Sequence, residues 1–291
     1  MRDLGPGELE QLEHGQIGTR LGEGLRASGA LQPEAMERTL AAVTTFVERA
    51  RAHDAGLSCI ATSAVRRASN AGAFAERVRA LSGAPLEVLD GATEAQASFV
   101  GATYGAPHDG RRIAILDIGG GSTECAAGRD GLLERGLSVE IGSVRVSERF
   151  PALMGGAPGP AARAAAREAR QAIDAEIAVF TSLRPVELVR CVAGTALTVA
   201  AVALGSHVDR VRGANLSAGA LDATIDRLLD ATLEERRAMP GMLLQRADIL
   251  AGGALIFAQT LRALSVSEAW LESNDLLLGH LIAQAASTRA E

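Results

Sequence analysis

The sequence predicts an α/β fold in two units that face each other across a cleft, and three observations carry that prediction. Helix-spaced apolar residues alternate with short apolar runs of strand length along most of the chain. Three strand candidates then follow one another between 113 and 139 with no helix among them. Polar clusters stand at the ends of several strand candidates, the edge at which α/β sheets bind ligands. At 291 residues the chain has room for two units of ordinary size. The polar, turn-rich stretch 108–112 divides it into 1–108 and 109–291.

Residues 1–24 are polar apart from Leu4, Leu9, Leu12, Ile17 and Leu21, and support at best one weak strand near 16–21. From Pro33 the signal is clear. Met36, Leu40, Val43 and Val47 fall at helical spacing, and Pro33 with Glu34 suits a helix start, so a helix runs to about His53. A short buried strand at 57–61 ends in Thr62 and Ser63. Phe74, Val78 and Leu81 mark the next helix, 86–89 the next strand and 94–104 a third helix.

Beyond the junction, 113–117, 123–127 and 132–139 read as a three-strand meander, followed by a helix over 143–150 and a Gly/Pro loop over 154–160. An Ala/Arg-rich helix covers about 161–182, its charges forming a solvated face. The strand 188–192 delivers Ala193, Gly194 and Thr195 into a helix. Helices near 217–229, 233–238 and 246–263 precede a last strand at 269–272 and a last helix at 275–286, which is expected to pack back on the first unit. A meander followed by alternating helix and strand is the order of a ribonuclease-H-like domain. The first unit shows the same alternation without an opening hairpin, and no Asp-x-Gly loop stands upstream of Arg20.

The stretch 113–124 reads Ile-Ala-Ile-Leu-Asp-Ile-Gly-Gly-Gly-Ser-Thr-Glu. Four apolar residues make a buried strand with Asp117 at its end. Gly119, Gly120 and Gly121 let the backbone take φ > 0 and approach a ligand closely, so that successive N–H groups form an anion nest, and Ser122 and Thr123 add hydroxyls. A second strand follows directly. The Rossmann and P-loop patterns instead need a helix after the glycines, and are excluded. A carboxylate facing amide donors repels phosphate unless a divalent cation lies between them, and Mg²⁺ is held typically by one or two carboxylates plus the substrate's phosphates. The loop therefore predicts a metal-phosphate site.

Composition narrows the field further. The net charge is −6, aromatics are 3% and no basic stripe is visible, which argues against nucleic acid as partner. A polyanion would be held by local clamps. Cys59, Cys125 and Cys191 each sit in an apolar run, as buried thiols of a reducing compartment do, and the scattered histidines offer no zinc-ligand spacing. No apolar run approaches the ~18 residues of a membrane span, and the first thirty residues lack a signal peptide's apolar core. A cytoplasmic protein without a membrane partner is expected.

Around the Asp117 loop stand Thr62-Ser-Ala-Val-Arg66, Gly91 to Ala95 with Glu94 at a helix mouth, Ala193-Gly-Thr195, Arg20-Leu-Gly-Glu-Gly-Leu25, Ile141-Gly-Ser-Val-Arg145 and Glu148-Arg-Phe150. In these motifs, from about Arg20 to His280, the chain resembles the exopolyphosphatase and guanosine pentaphosphate phosphohydrolase (Ppx/GppA) family of the actin-like ATPase superfamily. The resemblance implies two ribonuclease-H-like domains closing over a phosphate chain, with water attacking the terminal phosphorus. It makes Glu94 the group that orients or deprotonates that water and Arg66 the clamp on a phosphoryl oxygen. Asp117 and Glu124 would hold Mg²⁺ or Mn²⁺, and Gly119, Gly120, Gly121, Ser122, Thr123, Gly194 and Thr195 would bind phosphate.

The implied ligands are polyphosphate and guanosine pentaphosphate or tetraphosphate. Thr93 departs from the family's paired glutamates, Leu277 stands near a family arginine, and the N-terminal Asp-x-Gly-x-Asn-Ser loop is absent. That absence keeps open an alternative to the hydrolase, a catalytically impaired alarmone, nucleotide or polyphosphate-binding protein. The strand edges a missing hairpin would leave point to a homodimer.

Overall fold

Apolar alternation and helix signals translate closely into elements along the first unit. The computed structural model describes residues 1–5 and 8–290, with side chains at 1–2 and 9–287. In chain order the unit contains β1 (Arg2–Gly5), β2 (Glu8–Glu10), α1 (Leu25–Ser28), α2 (Pro33–Ala52), β3 (Cys59–Ala61), α3 (Ser63–Arg67), α4 (Ala71–Ser82), β4 (Leu86–Val88) and α5 (Gly91–Thr103). Pro33 opens α2, where its fixed φ suits the first turn and its missing N–H costs nothing. Leu40 of α2 meets Phe74 and Val78 of α4 in a small core completed by Leu31 and Val65. β3 and β4 pair in parallel, Cys59 opposite Leu86 and Ala61 opposite Val88.

One local expectation is corrected. The weak strand near 16–21 does not form. Residues 11–20 run as irregular chain, held where Arg38 Nε donates to the Thr19 carbonyl and where Arg20 pairs with Asp248. The cluster after β3 forms the short helix α3. A short hairpin does occur at the start, where β1 pairs with β2 and Arg2 meets Glu10 at 2.9 Å. It forms a sheet of its own, and among the described residues no hairpin joins the β3–β4 sheet.

The second unit continues with β5 (Arg112–Ile118), β6 (Thr123–Arg129), β7 (Leu132–Val139), α6 (Ser143–Arg149), α7 (Pro160–Ile177), β8 (Leu188–Val192), α8 (Ala193–Leu204), β9 (Asn215–Ser217), α9 (Ala218–Asp230), α10 (Leu233–Arg237), α11 (Leu250–Leu264), β10 (Glu268–Leu271) and α12 (Leu276–Ala290). One six-stranded sheet results, in the order β7–β6–β5–β8–β10–β9. The meander β5–β6–β7 is antiparallel, β8 and β10 add in parallel, and β9 caps the edge antiparallel to β10. β9 was not expected, because three residues are too few for a periodic signal. α11 is buried almost all round, as it lies beneath α6, α7, α8 and α9 on one face of the sheet.

The other face is covered from the first unit. Ala95, Phe99 and Ala102 of α5 pack on Ile113, Ile115, Ala126 and Val192 of the sheet. α12 then crosses α5 at backbone contact. A Cβ at Gly279 would stand 2.7 Å from the carbonyl carbon of Ala97 and 2.9 Å from the amide nitrogen of Gly101, so only glycine fits there. Further along, His280 Nε2 and Ser58 Oγ lie 2.8 Å apart, joining α12 to the first unit. Arg236 of α10 is wholly buried and donates to the carbonyls of Leu228 and Leu153. Among the described residues no helix is long and apolar enough to cross a membrane.

Candidate active site

Asp117 near the end of β5 and Glu124 at the start of β6 are direct partners across the antiparallel ladder, so their side chains leave the sheet on one face. Both are buried. Ser98 Oγ of α5 donates to Asp117 Oδ2 at 3.0 Å, and Ser138 Oγ of β7 donates to Glu124 Oε1 at 2.6 Å. Glu94 reaches the same place from the first turn of α5, a helix capped by Asp90, whose Oδ1 accepts from Thr93 N at 2.7 Å. Glu94 is only 5% exposed.

Burial raises all three carboxyls, and mutual repulsion adds to it at Asp117 and Glu124. Burial first, then the charges of Asp275 and Glu94, pushes Asp117 up to about 7. Burial, then Glu94 and Asp117, pushes Glu124 up to about 9. Glu94 is raised by burial against the pull of Arg66. A cation among them would relieve this repulsion. Among the described residues no three His, Cys, Asp or Glu side chains converge closely enough to hold a metal unaided. Two facing carboxylates, with the remaining ligands left to phosphate oxygens and water, match Mg²⁺. The residues present therefore fit the ion.

The glycine loop is shaped by what it packs against. None of Gly119, Gly120 and Gly121 has positive φ, contrary to expectation. Gly119 N donates to Ser122 O at 3.0 Å to close the turn, while the carbonyls of Gly119 and Gly120 accept from the amides of Ser143 and Val144 at the start of α6. At Gly121 a Cβ would lie 3.0 Å from Ser63 Oγ across the cleft. The amides of Gly120 and Gly121 donate to no acceptor among the described residues. Both glycines, with Ser122, line a cavity of about 400 Å³ between the units. Thr123 does not line it, because its hydroxyl donates to the Ile141 carbonyl at 2.6 Å. Gly121→Val is expected to weaken phosphate binding about tenfold or more by filling the approach, with little change in melting temperature. Calorimetric titration with pyrophosphate checks this, and unchanged affinity would make the loop a plain turn.

Arg26 and Arg67 line the cavity from the first unit, whereas Arg66 lies behind it. Arg66 of α3 donates from Nη1 to the Leu89 carbonyl at 2.7 Å and lies 3.4 Å from Glu94 Oε2, and its Nη2 donates to Glu140 Oε1 at 3.0 Å. Gly194 and Thr195, at the start of α8, lie behind the cavity rather than on it. They seat Arg246. Its Nη1 donates to Thr195 Oγ1 at 3.3 Å, and a Cβ at Gly194 would stand 2.7 Å from its guanidinium carbon.

Arg246 lines the cavity, as do Arg20 and Arg145, and none of the three was singled out from the sequence. An arginine before a helix reads as a solvated charge, and only the glycine's closeness reveals the seat. Asp275, whose charge acts on Asp117, was missed for the same reason.

The two units, with a cavity of about 400 Å³ between them, have the fold of the actin-like class. The chain belongs to the Ppx/GppA phosphatase family, whose sequence model matches residues 3–274. It is 31% identical over 297 residues to Exopolyphosphatase 2 of Mycobacterium tuberculosis, covering 95% of this chain and 90% of that protein. Exopolyphosphatase 1 of Mycobacterium leprae is 29% identical, with 92% and 81% covered. Among solved structures, an exopolyphosphatase-like protein superposes with a TM-score of 0.83 at 28% identity, covering 93% of this chain and 90% of that one. An exopolyphosphatase from Cytophaga hutchinsonii reaches 0.81 at 24% identity over 92% and 87%, a likeness of fold.

Proposed function

We propose that this chain is a phosphoanhydride hydrolase that releases the terminal phosphate of inorganic polyphosphate or guanosine pentaphosphate by attack of water. The observation that carries the reading is the position of Glu94, buried beside Arg66, on the cavity that the glycine loop lines and near enough for its charge to act on Asp117 and Glu124. The relatives named exopolyphosphatases support the polyphosphate arm. The free amides of Gly120 and Gly121 would receive the terminal phosphoryl group. Glu94, its carboxyl raised by burial, would accept the proton of the attacking water at Oε1 or Oε2, and a base tuned toward neutral pH suits that task. Arg66 and Arg246 would hold the phosphoryl oxygens as charge spreads over them. Asp117 and Glu124 would hold Mg²⁺ or Mn²⁺, which when bound supplies neutralising charge to the phosphates.

The test is phosphate release from polyphosphate, guanosine pentaphosphate and ATP, with and without Mg²⁺. Release from either of the first two, faster than from ATP and dependent on Mg²⁺, is the expected result. Binding without release from any of them would mark a binding protein instead.

A pH effect follows from the raised carboxyls. Asp117 and Glu124 keep their protons in the folded state up to about 7 and about 9, whereas the unfolded chain loses them near 3.8 and 4.5. Unfolding therefore releases protons in that window, and stability without metal falls as pH rises through it. Mg²⁺ must displace those protons, so its gain in melting temperature should be larger at about pH 8.5 than at about pH 6. An equal gain at both, or one that survives in Asp117→Asn, would place the ion elsewhere.

A further inference from the structure

We propose that Glu140 is a displaceable internal anion: its carboxylate occupies a second phosphoryl subsite beside the glycine loop, and a phosphoryl group further along a polyphosphoryl chain takes its place. The proposal rests on the phosphate reading of the cleft and adds a residue to it. Glu140 follows β7 directly, and its carboxylate gathers four donors. Ser63 Oγ donates to Oε2 at 2.9 Å, Arg67 Nη1 to Oε2 at 3.0 Å, Arg145 Nη1 to Oε2 at 3.1 Å and Arg66 Nη2 to Oε1 at 3.0 Å. Three of the donors ride on α3 in the first unit, and Arg145 comes from α6 in the second.

Three guanidiniums and a hydroxyl closing on two oxygens is the donor set that a phosphoryl group recruits. Glu140 faces three guanidiniums, of which Arg66 also meets Glu94, so the cluster stays electropositive with Glu140 in place. The carboxylate is held but not locked, since its side chain is 39% exposed and ion pairs of that exposure are weak. The donors, by contrast, belong to the cleft. Ser63, Arg67 and Arg145 line the same cavity as the glycine loop, and Arg145 Nη1 also lies 3.3 Å from the Gly121 carbonyl oxygen. Outward, Arg145 lines an adjoining cavity of about 150 Å³ together with Arg26 and Arg149.

A ligand anchored at the loop and continuing as a chain of phosphoryl groups meets these cations in turn. A single orthophosphate at the loop adjoins Ser63 and Arg145 but spans fewer of the cations than a chain does. Arg66 links the two ends of the device, touching Glu94 with one nitrogen and Glu140 with the other. When Glu140 leaves, Arg66 is freed toward the ligand at the moment a chain-like ligand is present.

The experiment is calorimetric titration of tripolyphosphate and of orthophosphate into the wild type, Glu140→Gln, Glu140→Ala and Glu140→Gln/Arg67→Ala, with melting temperatures recorded for each. Both single variants are expected to bind tripolyphosphate about fivefold more tightly, the loss of a half-exposed competing carboxylate, and orthophosphate within about twofold of the wild type. Adding Arg67→Ala should erase the gain, because the two residues share one site. A folded Glu140 variant that binds tripolyphosphate no better than the wild type overturns the proposal and makes the carboxylate a strut between the units. A wild type that binds no tripolyphosphate overturns the phosphate reading of the cleft itself.

Discussion

Glu94→Gln is expected to lower phosphate release by about 10² to 10⁴ while leaving ligand affinity nearly unchanged. The amide has the carboxylate's shape and still offers an oxygen to Arg66 Nη1, which lies 3.4 Å from Glu94 Oε2 in the wild type. It does not accept a proton. Because the residue is buried and its carboxyl raised, the charge it contributes is costly to hold, so the variant should melt no lower than the wild type. The acid limb of the rate profile, set above the ordinary 4.5 of a glutamate, should vanish with it. Single-turnover rates and calorimetric affinities, measured on one preparation, separate the outcomes. A loss of affinity equal to the loss of rate would assign Glu94 to ligand or metal binding instead.

Gly279→Ala is expected to destabilise the chain by about 3 kcal/mol, near the upper end for overpacking, because the new methyl meets backbone rather than a movable side chain. The neighbours are the Ala97 carbonyl and the Gly101 amide of α5. α5 has little freedom to retreat, since Ala95 and Phe99 on its other side are fully buried against the sheet. The melting temperature should fall by roughly 6–12 °C for a chain of this size. Gly72→Ala is the control, as a Cβ there meets nothing within 4 Å and the helix of α4 should tolerate or gain from it. Equal melting temperatures for the two variants would mean that the helices do not cross as closely as described.

Much of this architecture was legible in the sequence because burial writes a period. β7 and β8 occupy the residues expected of them, and α2 begins on its proline. What failed did so for tertiary reasons. Ile17 and Leu21 suggested a strand, but 11–20 meets no free strand edge and is used as a tether, with Arg20 on the Gln245 carbonyl and Asp248. The pair β1–β2 is stitched partly by charge, and no apolar alternation announces it.

In the site, Asp117, Glu124, Glu94 and Arg66 were visible because each stands at or just after a strand end or at a helix mouth. Arg246 was not, since its partner Thr195 lies 51 residues away, and Arg145 stood at the end of a motif without being given a role. The glycines of the loop were noticed for a reason the structure does not bear out: none has positive φ, and each has a neighbour within 3.0–3.3 Å of where a Cβ would stand.

The placement of α5 has a consequence for how such a site changes over generations. Glu94 rides on a helix whose apolar face is glued to the six-stranded sheet, so it shares one rigid block with Asp117 and Glu124. Arg66 and Arg67 sit on a single turn outside that block. On the proposed reading, the groups that would break the bond and the two arginines of α3 that would help grip the substrate are thus inherited as separable modules. Substitutions around α3 would then have the freedom to retune which polyanion is gripped, while drift in α5 must answer to the hydrophobic core and is purged by instability.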